Sequence, residues 1–415
     1  MFSTLAVLVL WLLASAALAS DHEMQVNEHT PGSQNGPAIA PLLDGRFLVV
    51  WEGPSPALSY TFIEIRGRLL DAAGVPTGSE FSIGETPQSP QSRPAVAALS
   101  DGSVAVAWEE GRVSGGGIAH RRVSSAGVPL GQPQLLPTED FKEFRPLVES
   151  LHNGGYLLVW GCFYHCLGGS ESDIVGQVFG ADSTSVGPPF LVPTSQENDQ
   201  RSVNHAVVNL GPNGLLVLWD TRNVPPRIRG QRFDANGDRI GGEMLFPDIT
   251  ATGARAYTFT DDEFFISANG ILQRYDLTGT PVGSPVALPE APGEDYQFDI
   301  ADVVPGPDGH LWIPAMVTPT TGLFAFNPDI GLYELDADGQ LLTRLDRANA
   351  LSTRGQLDPV LALTAGGDPV LVWESIFSLG NDQDSLSVQV RTSFSTLFVD
   401  DFEGGNLLRW HRVQY

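Results

Sequence analysis

The stretch from Gly36 to Gly84 decides the fold: it reads GPAIAPLLDGRFLVVWEG, then a loop, then FIEIRGRLLDAAGVPTGSEFSIG. Four short apolar runs are separated by turns that contain glycine and aspartate, and this pattern predicts four β-strands. The second run, Phe47–Trp51, is apolar at every position, so we expect it to be covered on both faces. A single four-stranded sheet leaves both faces open, and copies of the unit must therefore lie on either side.

The chain supplies such copies at a period of roughly 50–60 residues. The tryptophan that we place at the end of the second strand recurs at Trp51, Trp108, Trp160, Trp219, Trp312 and Trp373. The interval between the fourth and fifth is about twice as long, and we place a degenerate copy there, with Phe265 in the tryptophan position. The sequence thus predicts an all-β fold, a single β-propeller of seven four-stranded blades. An open solenoid and separate sandwich domains are the alternatives.

The two ends of the repeat array complement each other. Met24–Asn27 matches the fourth strand of a blade, whereas the last unit, around Ser387–Thr392, lacks one. We expect the N-terminal strand to complete the last blade, because closure removes an exposed sheet edge. The predicted organisation is a signal peptide at 1–19, a propeller at 20–396 and a tail at 397–415. The apolar run at 1–19 ends in a small-residue cleavage site, and a retained signal anchor is the alternative.

Strings such as DGRFLVVWEG and IRGQRFDANGDRIGGEM resemble repeats of large exported bacterial proteins, of the type DGxFxVVWE followed by IxGQRFDAxGxxVGxEF. The tail VDDFEGGNLLRW is similar to a DGFESGD-type C-terminal segment of exported proteins from Gram-negative bacteria. The resemblance implies a secreted, periplasmic or cell-surface protein. It carries no defined catalytic residues, and none is assigned.

Charge and motifs limit the function classes. The formal net charge of −26 argues against nucleic acid and anionic membranes as partners. Such a surface is expected to attract cations such as Ca²⁺, although no cofactor and no metal ligands are assigned. Nucleophile-elbow, zinc-protease and P-loop motifs are absent from the sequence. We expect a monomer whose partner is a protein or a polysaccharide.

Two cysteines, Cys162 and Cys166, lie in the segment GCFYHC. In an exported protein such a close pair favours a disulfide. Free thiols, or a metal site that also uses His165, are the alternatives.

Charged residues recur just before the first strand and just after the second strand of several units. If the first strand lines the channel, arginines that precede it and carboxylates that follow the second strand meet at one rim. These candidate rim residues are Arg93, Arg145, Arg201, Arg354, Glu52, Glu109, Asp220 and Glu374, with Glu110 beside them. They predict a pocket for a glycan or carboxylate ligand, ion pairs that tie neighbouring blades together, or the paired acids of a glycosidase.

Three functions follow from these features. The first is an exported non-catalytic propeller that presents a rim to a protein or polysaccharide. The second is a propeller-type glycoside hydrolase or polysaccharide lyase. The third is a purely structural surface module.

Overall fold

The computed structural model describes residues 23–56, 62–85, 89–111, 117–136, 142–163, 166–168, 172–194, 200–221, 227–247, 249, 255–268, 271–287, 296–319, 328–336, 339–345, 348–349, 355–376 and 386–392. The predicted signal peptide and C-terminal tail lie outside these ranges.

The described residues form seven antiparallel sheets, which are the seven predicted blades. The first four blades are each built from four consecutive strands. Blade 1 contains β2 (Asn35–Pro41), β3 (Phe47–Pro54), β4 (Ile63–Leu70) and β5 (Pro76–Ser82), and blade 2 contains β6 (Gln91–Ala98), β7 (Val104–Glu110), β8 (Gly117–Val123) and β9 (Pro129–Leu135). Blade 3 contains β10 (Lys142–Ser150), β11 (Tyr156–Phe163), β12 (Ser172–Phe179) and β13 (Ser185–Leu191), and blade 4 contains β14 (Gln200–Asn209), β15 (Leu215–Thr221), β16 (Ile228–Phe233) and β17 (Arg239–Phe246). Short 3₁₀ helices cover Cys166–Gly168 and Gly211–Asn213.

The last three blades follow the same order, and blade 6 has an inner strand that is split in two. Blade 5 contains β18 (Arg255–Thr258), β19 (Glu263–Ala268), β20 (Ile271–Asp276) and β21 (Pro281–Ala287). Blade 6 contains β22 (Tyr296–Ile300), β23 (Val304–Pro305), β24 (Leu311–Pro319), β25 (Asp329–Leu335) and β26 (Leu341–Leu345). Blade 7 contains β27 (Gln356–Leu363), β28 (Pro369–Ile376), β29 (Leu386–Arg391) and β1 (Met24–Gln25). The first strands of neighbouring blades contact one another all the way round, so they line the centre of the ring.

The N-terminal strand closes the ring, as the sequence predicts. Met24 pairs with Val390 and Gln25 pairs with Gln389, antiparallel to the third strand of blade 7. The backbone N–H of Val26 donates to the carbonyl of Val388 at 2.8 Å. Blade 7 therefore contains strands from both ends of the chain.

The hydrophobic core is divided into seven clusters, one between each pair of neighbouring blades. The cluster that joins blade 7 to blade 1 contains Trp51, Val372 and Val390 together with Val26 of the closing strand. Because both faces of every blade are buried in this way, the second strands are apolar over most of their length.

The predicted tryptophan series holds in five blades and fails in two. Trp51, Trp108, Trp160, Trp219 and Trp373 each lie buried against the preceding blade.

The placements of Trp312 and Phe265 were wrong. In blade 1 the turn closes at Arg46, and Trp51 follows five residues later. The corresponding turns close at Glu263 and His310. Counting forward from them puts Ala268 and Ala315 in the tryptophan position, whereas Phe265 and Trp312 lie three residues earlier in their strands.

Candidate functional site

Carboxylates at the end of the second strand link three neighbouring pairs of blades. Each accepts a hydrogen bond from a backbone N–H in the inner strand of the next blade. The pairs are Glu374 Oε2 with Gly36 N at 3.1 Å, Glu52 Oε2 with Arg93 N at 2.8 Å, and Glu109 Oε1 with Arg145 N at 2.7 Å. The structure thus joins the predicted arginine and carboxylate positions, but through the arginine backbone.

These backbone N–H groups point outward because a β-bulge interrupts the inner strand. In the first three blades the register shifts at the residue before a proline, and that residue has a positive φ: 57° at Gly36, 52° at Arg93 and 50° at Arg145. Glycine adopts this conformation without strain, whereas arginine does not. The bulge releases the N–H from the strand ladder and directs it at the neighbouring carboxylate.

The guanidinium groups lie at the same end of the channel. Arg93 forms an ion pair with Glu109 of its own blade at 3.1 Å, and its side chain is 55% exposed. Partial desolvation and the charge of Arg93 lower the pKa of Arg145, and the charge of Arg255 acts in the same direction. Arg145 of blade 3 therefore lies close enough to Arg93 of blade 2 and Arg255 of blade 5 to feel their charges. We call this end of the channel the arginine mouth.

Glu374 is the carboxyl group with the most altered acidity at this mouth. It is 4% exposed, and its desolvation raises its pKa to about 7. The hydrogen bond from Gly36 opposes this shift, whereas the negative charges of Asp358 and Glu52 reinforce it. Three acids thus share one region, and burial is the main reason that the pKa of Glu374 is raised.

The remaining rim candidates are described only in part. Asp220 is buried within β15, and its residue pairs with Arg201 in the strand ladder. The side chain of Arg201 and the whole of Arg354 lie outside the described residues. In blade 3 the position after the tryptophan is Gly161, so the carboxylate series is interrupted there. The rim that the structure describes is therefore partial.

Arg255 and Asp302 belong to the channel and were missed from the sequence. Arg255 donates to the carbonyl of Ala301 at 2.9 Å. Asp302 lies in the break between β22 and β23 and accepts a hydrogen bond from the backbone of Leu361. Desolvation raises the pKa of Asp302 to about 6. Blades 5 and 6 diverge most from the repeat, so no recurring pattern marks these two residues.

A buried glutamine that precedes the bulge was also overlooked, although the sequence carries its signature. The motif Q-x-x-P recurs at Gln34, Gln91 and Gln356, and all three side chains are buried. Gln91 accepts from the N–H of Ile65 at 2.9 Å and donates to Glu110 at 3.0 Å. Glu110 also accepts a hydrogen bond from the indole N–H of Trp108 at 2.9 Å, so its carboxylate binds groups inside its own blade.

The cysteine and metal predictions fall near β11. Cys162 is buried at the end of this strand, and Cys166 begins the first short 3₁₀ helix. The side chain of Cys166 lies outside the described residues, so the disulfide stays a prediction. Among the described residues, no group of three or more His, Cys, Asp or Glu side chains is arranged to hold a metal ion. No helix in the described part of the chain is long and apolar enough to cross a membrane.

Comparison with known proteins yields similarity of fold. No family model and no curated protein matches the chain. It is similar to a solved protein of unknown function from Dyadobacter fermentans DSM 18053, with 9% identity, a TM-score of 0.52, and coverage of 89% of this chain and 98% of the other. The polysaccharide lyase Uly1 aligns with 9% identity and a TM-score of 0.49, over 73% and 77% of the two chains. An α-L-arabinanase from Penicillium chrysogenum aligns with 12% identity and a TM-score of 0.47, over 89% and 97%.

Proposed function

We propose that this protein is an exported propeller whose arginine mouth binds the carboxylates of an acidic polysaccharide. The observation that carries the proposal is the convergence of Arg93, Arg145 and Arg255 at one end of the channel. Guanidinium groups bind carboxylates through paired, charge-assisted hydrogen bonds. Uronic acids present such carboxylates on each sugar ring.

The charge distribution supports a short or terminal segment of polysaccharide as the ligand. The formal net charge of the chain is −26, so most of its surface repels a long polyanion. Among the residues that the structure describes, Arg93 forms one short ion pair, to Glu109, and its planar group has further N–H donors to offer. The guanidinium groups of the mouth, rather than the surface around it, would therefore bind the carboxylates that reach it.

The test is a calorimetric titration with trigalacturonate and, as the neutral control, maltotriose. Arg93→Gly combined with Arg145→Gly removes two guanidinium groups and keeps both backbone N–H donors. The positive φ of these positions favours glycine, and blade 1 already carries Gly36 in the equivalent place. We expect saturable binding of trigalacturonate to the parent, weakened at least about tenfold in the double variant.

The matched control is Arg46→Gln, in the turn at the opposite end of the channel, where Arg46 pairs with Asp44. This variant should bind as the parent does, and added salt should weaken binding by both. Equal affinity in the parent and the glycine double variant would refute the proposal, as would binding of neither sugar.

A second candidate function is cleavage of such a polysaccharide at the same mouth. Glu374 favours it, because a carboxyl group with a pKa of about 7 is protonated often enough to act as a general acid. Hydrolysis also needs a second, ionised carboxylate that activates water, and Asp358 and Glu52 lie within electrostatic range. Formation of new reducing or unsaturated ends from polygalacturonate, abolished in Glu374→Gln, would establish this function. If the parent protein forms no such ends, the cleavage function is refuted.

A further inference from the structure

A second concave site lies between blades 2 and 3, away from the arginine mouth. It is a cavity of about 380 Å³ beside the outer strands. Its walls combine neutral polar groups with apolar surface, and this volume lies within the range of small-molecule sites. The side chains that matter most for its chemistry are His120, Gln134, Gln177, Phe179 and Ser183. We call it the blade 2–3 cavity.

The cavity exists because blade 2 departs from the repeat at one cross-strand pair. In blades 1 and 3 this pair is a glycine opposite a phenylalanine, namely Gly67 with Phe81 and Gly176 with Phe190. The ring covers the glycine so closely that an added Cβ on Gly176 would lie 2.9 Å from Phe190. Blade 2 instead has His120 opposite Gln134, and both of these side chains line the cavity.

His120 brings an unused hydrogen-bonding nitrogen to this wall. The side chain is 1% exposed, and its Nδ1 lies 2.9 Å from the hydroxyl of Tyr156. Its Nε2 is buried and has no hydrogen-bond partner among the described residues. A buried polar atom without a partner is costly, which indicates that something outside the chain satisfies it.

A hydrogen-bond chain lies behind His120. The Tyr156 hydroxyl contacts Nδ1 of His120 at 2.9 Å and also interacts with Ser183. Burial raises the pKa of Tyr156 to about 12 and lowers the pKa of His120 to about 4, so both side chains are neutral. If the serine donates to the phenol oxygen, the phenol donates to Nδ1, and the single imidazole proton then lies on Nε2. This is the arrangement that we expect, with Nε2 as a donor.

A buried acceptor lies on the opposite wall. Gln177 of blade 3 is 5% exposed, and its Oε1 has no hydrogen-bond partner among the described residues. The exposed amide of Gln134 and the hydroxyls of Thr184 and Ser185 add further donors and acceptors. A donor facing an acceptor matches hydroxyl groups, which both accept and donate.

The walls also discriminate among ligand classes. No lining residue carries a charge at neutral pH, so an ionic ligand would find no partner there. Leu135, Leu136 and Phe179 provide apolar contact surface next to the polar groups. We propose that the blade 2–3 cavity binds a neutral, hydroxyl-rich ligand of the size of one monosaccharide ring.

The test follows His120 directly in the full-length chain. With eight histidines in the sequence, ¹⁵N-histidine labelling gives an imidazole NMR spectrum that is simple enough to assign by substitution. Methyl glycosides of glucose, galactose and mannose are titrated separately. We expect free His120 to show the Nε2-protonated tautomer, and we expect at least one glycoside to shift its signals in a saturable way.

The variant His120→Gly with Gln134→Phe rebuilds the glycine–phenylalanine pair of blades 1 and 3, so it should fold while filling the cavity. Calorimetry should show its affinity for the same glycoside reduced at least about tenfold. The Arg93→Gly, Arg145→Gly variant should still bind this glycoside, because neither arginine lines the cavity. A His120 signal that none of the three glycosides shifts, or affinity retained in the filled variant, would mean that the cavity holds only water.

Discussion

At the scale of single residues, the carboxyl group of Glu374 illustrates how the ring constrains acidity. The side chain links blade 7 to blade 1 through Gly36, and that position buries it next to two other acids. Its hydrogen bond would be retained by an amide, whereas its charge is disfavoured by desolvation. The blade contact and the altered pKa therefore have one structural origin.

This leads to a prediction about pH. In the unfolded chain Glu374 loses its proton near its ordinary pKa of 4.5, whereas in the fold it does so at about 7. The folded state thus binds the proton more tightly between these values, and stability falls as the pH rises through this window. The loss from this one group amounts to roughly 3 kcal/mol at most. Glu374→Gln should keep the hydrogen bond to Gly36 and remove the contribution of this group to the pH dependence of stability.

Urea unfolding at pH 5 and pH 8 measures the effect. The parent should lose more stability than Glu374→Gln does between pH 5 and pH 8. The pH dependence that remains in the variant combines the raised pKa of Asp302 with the lowered pKa of His120, and these two groups act in opposite directions. Identical pH dependences in the two proteins would contradict the assigned acidity.

The tryptophans provide a second test at this scale. Trp108 is fully buried between blades 1 and 2, so Trp108→Ala should lower the free energy of unfolding by about 3–5 kcal/mol. Trp312 is half-buried near the start of β24, and it serves as the matched control. Its truncation should cost clearly less in the same urea titration. Equal costs would mean that the two residues occupy equivalent places, against the turn-based alignment.

At the scale of elements, ring closure depends on a very short strand. Only Met24 and Gln25 pair formally with β29, but Asn27 continues the contact by accepting the N–H of Val388 at 3.0 Å. Val26 is buried in the cluster between blades 7 and 1. Without this strand, β29 becomes an exposed edge in which Val388 and Val390 lose their cover.

Deletion of 23–30 should therefore lower the melting midpoint and promote aggregation, although blades 1 to 6 keep all their strands. Val26→Asp should act in the same direction, because it places a charge in the interblade cluster. Differential scanning calorimetry and size-exclusion chromatography measure both effects, with the protein starting at Asp21 as the reference. A deletion variant that stays monomeric with an unchanged midpoint would show that closure does not depend on this strand.

Sequence patterns predicted elements well wherever the repeat is strict. The four-strand order, the seven blades and the closing strand followed from Gly36–Gly84 and its copies. The patterns failed in blades 5 and 6, where alanines replace the tryptophan and Phe265 and Trp312 provided misleading landmarks. The hydrogen-bonded turn that precedes the second strand is the better landmark for aligning the blades, because its geometry is kept in blades that lack the tryptophan.

The site was only partly predictable for a similar reason. Recurrence placed Glu52, Glu109 and Glu374 beside the inner strands, but a repeat cannot show that their partners are backbone N–H groups released by bulges. Asp302 and His120 lie where one blade differs from the others, so they are invisible to any argument from recurrence. The residues with the most distinctive chemistry in this fold are those that break the pattern.

At the scale of the whole molecule, the protein combines a strongly acidic net charge with a mouth at which arginines and carboxylates meet. The formal net charge of the chain is −26, whereas Arg93, Arg145 and Arg255 bring three guanidinium groups to one end of the channel. The proposed ligand is the carboxylate of an acidic sugar, held where these guanidinium groups converge. Neutral sugars belong to the separate blade 2–3 cavity.

The most direct measurement is a crystal structure of the protein soaked with trigalacturonate. The account predicts a uronate carboxylate at the arginine mouth, within hydrogen-bonding distance of the guanidinium groups of Arg93 and Arg145. Trigalacturonate bound elsewhere on the propeller, with these two guanidinium groups still free of ligand, would contradict it.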